Sequence, residues 1–236
     1  MKKVYFLITI SLLACSYSYS QSVEEYYNRG HSKINQGDFR GAILELNKAI
    51  ENDPKDDVAY SLRGFAKAEL GDFRGAIADY NKAIEIDSGF PDFYSFRGRA
   101  KAEIGNHKGA IADFNQAIDI DPKDAGSYMV RGFSKNELGD IRGAIADYSK
   151  TIELMPRYVK AYVIRGGAKA DLGDYWGAIA DYDKAIEIDS GFAEAYLFRG
   201  ATKIDSGDIN GGCLDLSKAG ELGDGDAYEM IREYCN

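Results

Sequence analysis

Residues 57–90 read DVAYSLRGFAKAELGDFRGAIADYNKAIEIDSGF, and residues 91–124 read PDFYSFRGRAKAEIGNHKGAIADFNQAIDIDPKD. The second stretch repeats the first: Tyr60 and Tyr94, Gly64 and Gly98, Gly71 and Gly105, and Gly75 and Gly109 each stand 34 residues apart. In the first stretch, Val58–Leu70 reads as one helix. Phe73–Asp87 reads as a second, with Ile77, Tyr80 and Ile84 at i, i+3 and i+7. Gly71-Asp72 separates the two, so the unit is an antiparallel helix pair.

The same period extends in both directions. Gly30, Gly64, Gly98, Gly132, Gly166 and Gly200 form one ladder, and two more start at Gly37 and at Gly41, together taking most of the chain's 26 Gly. A tyrosine ladder from Tyr26 to Tyr196 runs four residues ahead of the first. With Val23 as position 1, six repeats follow at 23–56, 57–90, 91–124, 125–158, 159–192 and 193–226, leaving no room for a second domain. Asp38, Asp72, Asn106, Asp140, Asp174 and Asp208 follow the turn glycines, where a short oxygen-bearing side chain accepts from the amides that open the second helix. Pro54, Pro122 and Pro156 fall at the ends of second helices, and Pro91 suits a first helical turn, where its missing amide costs nothing. Gly64 with Ala76 and Ala83 lets the two helices approach closely.

This pattern resembles the tetratricopeptide repeat (TPR) family over Val23 to Asp226. Repeat 2 supplies Tyr60, Gly64, Ala76, Tyr80 and Ala83 at the family's positions, and repeat 3 supplies Tyr94, Gly98, Ala110, Phe114, Ala117 and Pro122. The resemblance implies an all-α fold, a right-handed α-solenoid of six helix-turn-helix repeats closed by a capping helix at 227–236. It also implies that ligands lie in a concave groove lined by the first helices. Two positions depart from the family. Position 7, commonly Leu, is Arg from Arg29 to Arg199, and position 11, commonly Tyr, is Lys from Lys33 to Lys203. One helical turn apart, they form a basic stripe if exposed. Asp79, Asp113, Asp147, Asp181 and Asp215 recur with the same period, and that match favours internal pairing.

The groove positions break the repeat. Position 9 reads His31, Phe65, Arg99, Phe133, Gly167 and Ala201, and position 5 includes Tyr27 and Met129. Position 13 carries Glu69, Glu103 and Glu137, so one end of the groove is negative and favours a basic or neutral protein or peptide segment over an acidic one. Tyr27, His31, Phe65, Glu69, Arg99, Glu103, Met129, Phe133 and Glu137 are the candidate partner-binding residues. The Lys and Asn clamp with which some family members hold a terminal carboxylate is absent, since Glu24, Val58 and Asp92 occupy position 2 and Tyr27, Ser61 and Ser95 position 5.

Charge and motif content exclude other classes. Lys and Arg total 29 against 38 Asp and Glu, a net charge of -9, which argues against a nucleic-acid backbone as partner. Only His31 and His107 occur, about two repeats apart, where each repeat contacts mainly its neighbours. No CxxC, HExxH or phosphate-loop ending is present, so the sequence predicts no catalytic residues, no metal and no cofactor.

Residues 1–20 have the layout of a signal peptide. Lys2 and Lys3 precede an apolar run, Val4 to Ala14, too short for the roughly 20 residues of a spanning helix. No other segment is apolar for longer, so no transmembrane span is expected. Ser18 and Ser20 suit cleavage before Gln21, with 21–22 as a linker, giving an exported protein of the periplasm or the exterior. The alternative is Leu12-Leu13-Ala14-Cys15, which resembles a bacterial lipobox and would give an outer-membrane lipoprotein acylated at Cys15. At the other end, Gly212 and Gly220 mark the decay of repeat 6, and Ala227, Met230, Ile231 and Tyr234 line the cap. Cys213 takes the place of a recurrent Ile and faces that cap, where Cys235 lies, so export predicts a disulfide between them.

Overall fold

The computed structural model describes residues 24–235. The signal peptide, the cleavage site before Gln21, the 21–22 linker and Cys15 lie outside the described residues. Within them the chain is all α. The helices are α1 (24–35), α2 (Phe39–Asn52), α3 (Asp57–Glu69), α4 (Phe73–Ile86), α5 (Pro91–Glu103) and α6 (His107–Ile120), followed by α7 (Ala125–Glu137), α8 (Ile141–Leu154), α9 (Val159–Asp171), α10 (Tyr175–Ile188), α11 (Ala193–Asp205), α12 (Ile209–Glu221) and α13 (Asp226–Tyr234). They fall into two compact units, one up to Asp121 holding α1–α6 and one from Pro122 holding α7–α13. In each unit an odd-numbered helix pairs with the even one after it, and that even helix packs on the next odd one.

Each glycine ladder has its own cause. At the turn, Gly71 has φ +80°, and its N–H donates to Ala68 O while that of Asp72 donates to Lys67 O, the bond pattern that ends a helix with a left-handed residue. Asp72 then caps α4, its carboxylate accepting from the Gly75 N–H at 2.9 Å. That carboxylate lies against Gly75 so closely that an added Cβ would stand 2.1 Å from Asp72 Oδ2. The same cap recurs at Asp38, Asn106, Asp140, Asp174 and Asp208. Pro91 occupies the first turn of α5 as its sequence context predicts. The first ladder makes room for a ring rather than for the alanines named with it: a Cβ on Gly64 would meet Tyr80 Cε1 at 2.9 Å. Tyr80, Tyr148 and Tyr182 are fully buried beneath these glycines. Burial, reinforced by the adjacent Asp147 carboxylate, pushes the Tyr148 phenol up to about 12. Tyr182 is likewise pushed up to about 12 by burial.

The last helix covers the end of the second unit. Ala227 is buried, and Met230, Ile231 and Cys235 pack on Leu197, Leu216 and Ala219. Tyr228 fills the space left by Gly220 and donates its hydroxyl to Gly220 O at 3.1 Å. Tyr234, assigned to this contact from the sequence, is 44% exposed and stands at the last residue of α13. A disulfide joins Cys213 to Cys235, closing a sequence separation of 22. In the chain-entropy picture a loop of that length contributes about 3 kcal/mol. Reductant should therefore lower the denaturation midpoint of the wild type and leave that of Cys213→Ala/Cys235→Ala unmoved; a wild-type midpoint indifferent to reductant would refute the contribution.

Candidate functional site

Which charges are free to meet a partner depends first on the Arg and Lys ladders, and these are spoken for. Arg63 donates through Nε and Nη2 to the two oxygens of Asp79 at 2.9 and 2.6 Å, and Lys67 Nζ lies 2.8 Å from Asp79 Oδ2. The Arg97, Lys101 and Asp113 set, the Arg131, Lys135 and Asp147 set, the Arg165, Lys169 and Asp181 set, and the Arg199, Lys203 and Asp215 set repeat this geometry. Each of these guanidiniums also lies over the tyrosine three residues earlier, as Arg63 does over Tyr60. A third contact reaches back one repeat: Arg63 Nη1 to Asn47 Oδ1 at 2.7 Å and Arg97 Nη1 to Asn81 Oδ1 at 2.7 Å. In the other unit, Arg165 bonds Ser149 in this way and Arg199 bonds Asp183. The ladders are internal ties, as their matched period favours, and make no exposed basic stripe. In repeat 1 Glu45 holds the place of the Asp and lies 4.0 Å from Arg29 Nη1; Arg29 also pairs with Glu25 on its own helix, and Lys33 pairs with the cap residue Asp38.

What remains is the variable face of the odd helices. In the first unit, α3, α4 and α5 enclose a cleft of about 200 Å³. Phe65, Phe73, Tyr80 and Phe96 wall it, Ala68 and Ala100 form its base, and Glu69, Arg99 and Glu103 stand at its rim. The rings hold one another in place, with centroids 6.4 Å apart for Phe65 and Phe96, 5.9 Å for Tyr80 and Phe96, and 6.3 Å for Phe39 and Phe65. Burial, with the Asp79 carboxylate next to it, raises the Tyr80 phenol well above the usual tyrosine range, so that wall of the cleft is neutral. Arg99 is exposed and forms no ion pair among the described residues, unlike the ladder arginines.

Four of the candidate partner-binding residues thus come together: Phe65, Glu69, Arg99 and Glu103. Tyr27 and His31 stack on one another on α1, away from the cleft lining. In the second unit Phe133 is 52% exposed and Glu137 is exposed on the same helix. Met129 is half-buried and packs on Ala144, Tyr148 and Ala168. Phe73, Tyr80 and Phe96 had no place among the expected site residues. Position 6, where Phe96 stands, stays apolar from Leu62 through Phe96, Val130 and Ile164 to Phe198, so it reads as core and gave no signal of a site.

Among the described residues no group of three or more His, Cys, Asp or Glu side chains is placed to hold a metal ion. None of the described helices is long and apolar enough to cross a membrane.

Comparison with known proteins agrees with this architecture. Family profiles described as tetratricopeptide repeat match residues 24–56, 91–124 and 136–191, and one described as TPR repeat matches 66–105. No curated protein sequence matches the chain. Among solved structures, MamA superposes with a TM-score of 0.67 at 27% identity, over 74% of this chain and 96% of that one. PilF of Pseudomonas aeruginosa gives 0.76 at 16% identity, over 92% and 99%. YrrB, a TPR protein with an unusual peptide-binding site, gives 0.68 at 22% identity, over 80% and 97%.

Proposed function

We propose, because this chain belongs to the tetratricopeptide repeat family, that it works as a non-enzymatic scaffold or assembly adaptor that docks a protein or peptide segment on the variable face of its odd-numbered helices. The observation that carries this reading is the cleft on α3–α5, where Phe65, Phe96 and Arg99 depart from the repeat beside the recurring Tyr80. The Arg, Lys and Asp ladders and the cap residues are by contrast engaged in internal ion pairs and caps. Glu69, Glu103 and Glu137 are exposed, so the partner segment is basic or neutral. YrrB, with its peptide-binding site, is a solved precedent for peptide docking on this fold. The signal layout of residues 1–20 supports export, to the periplasm or the exterior. The Leu12-Leu13-Ala14-Cys15 stretch supports a second reading, an envelope component anchored through lipid on Cys15.

A photo-crosslinking residue at Phe65, with a control at the exposed Ala112 on α6, tests the docking role in the native envelope. The expected result is one partner captured through Phe65 alone and released by competition with excess unlabelled protein. Equal capture at both positions, or none, would overturn it. Mass spectrometry of the mature terminus of the same preparation separates Gln21 from an acylated Cys15.

A further inference from the structure

The cleft on α3–α5 has a chemistry narrower than a general docking face. Its volume of about 200 Å³ falls below the roughly 300–1,000 Å³ of small-molecule sites, so it accommodates one side chain of a larger partner. Its walls are aromatic, which suits a flat or branched apolar group; such anchors carry much of the energy at interfaces. The rim is mixed. Arg99 stands at the mouth without an ion pair among the described residues, and its charge disfavours a Lys or Arg entering as the anchor. Glu69 and Glu103 outnumber it, and they favour a cation held outside the cavity. In the second unit the position of Arg99 is filled by Phe133, Gly167 and Ala201, so this combination is not a property of every repeat.

We propose that this cleft takes one large apolar side chain, aromatic or branched aliphatic, from an extended partner segment in which a Lys or Arg next to the anchor reaches Glu69 and Glu103. The assignment rests on the docking role proposed above and specifies which segment that role selects. Phe65 and Phe96 hold the anchor, the two glutamates choose its neighbour, and Arg99 excludes a basic anchor.

Three fluorescein-labelled nonapeptides in a Gly and Ser background, with the cores Lys-Phe-Lys, Glu-Phe-Glu and Lys-Ala-Lys, test this by fluorescence anisotropy on the full chain. Lys-Phe-Lys should bind at least about tenfold more tightly than either of the others. Phe96→Ala should remove the dependence on Phe. Because that ring also packs on the core, Glu69→Gln/Glu103→Gln at two exposed positions provides the second arm, and it should bring Lys-Phe-Lys close to Glu-Phe-Glu. Equal affinities for the three peptides, or a preference for Lys that survives the double Gln substitution, would overturn the assignment. If Phe65 captures an envelope partner while the three peptides bind alike, docking stands and the anchor rule falls. If Lys-Phe-Lys is preferred and the capture fails, the cleft chemistry stands and the envelope partner falls.

Discussion

Asp181→Ala is expected to lower the unfolding free energy by about 3 kcal/mol, one of the largest losses available at a charged position. The Asp181 side chain is only 6% exposed and accepts from Arg165 Nε at 2.9 Å and Nη2 at 2.6 Å, with Lys169 Nζ at 2.7 Å. Removing it leaves two cations facing each other. They cannot simply swing into water, because Arg165 is also held over Tyr162 and bonded to Ser149 Oγ at 3.0 Å. Breaking a buried pair by deleting one partner costs roughly 3–5 kcal/mol, and the partial exposure of Arg165 and Lys169 puts this case at the lower end. Glu187→Ala, which breaks an exposed pair with Lys184 one turn away, should cost about 0.5 kcal/mol or less. The check is urea denaturation of the two variants side by side, followed by circular dichroism. A loss for Asp181→Ala no greater than for Glu187→Ala would show that the ladder contributes no more than surface charge does.

Tyr182→Ala should cost about 3–5 kcal/mol, since the ring is 1% exposed, lies beneath Gly166 and stacks on Phe198 at 6.3 Å. Gly166→Ala is the complementary test. Ala favours a helix over Gly by about 1 kcal/mol. Here its Cβ would sit 2.6 Å from Tyr182 Cε1. Overpacking of that kind costs roughly 1–3 kcal/mol, so the expected net effect of the single substitution is destabilising. With Tyr182 already Ala the clash is gone, and Gly166→Ala should become neutral or stabilising. A double-mutant cycle measures this coupling. Strictly additive effects would mean that the backbone can separate the helices freely, and that the glycine ladder is not there to accommodate the ring.

Much of this architecture could be read from residue order because its causes are local or strictly periodic. A helix stop at Gly71, a cap at Asp72 and a first-turn Pro91 depend on a few neighbouring backbone groups, so they follow from short stretches of sequence. The Arg, Lys and Asp ladders are legible in part, because the acid and the base recur with one period, and a match of that kind favours internal pairing that the coordinates then show. The disulfide partners were legible for a related reason: Cys213 interrupts a ladder of Ile that faces the next helix.

The rest was decided by packing. Arg63 and Arg97 bond Asn47 and Asn81 in the repeats before them, whereas Arg165 and Arg199 bond Ser149 and Asp183. Residues that differ in identity but share a role leave no ladder to read. Met129 is half-buried and Tyr234 44% exposed because an amphipathic pattern gives the side of a helix, whereas the neighbouring helix decides how far around that side burial extends. The cleft is the clearest case. Phe65, Phe73, Tyr80 and Phe96 occupy four different repeat positions on three helices, and along the sequence each belongs to its own column. Only the close approach of α3, α4 and α5, which Gly64 permits by yielding its volume to Tyr80, brings them to one point. The sequence alone determined the repeat and its turns and favoured its internal charge pairs; the convergence of side chains from separate helices into one cleft depended on interhelical distances that no single column of residues encodes.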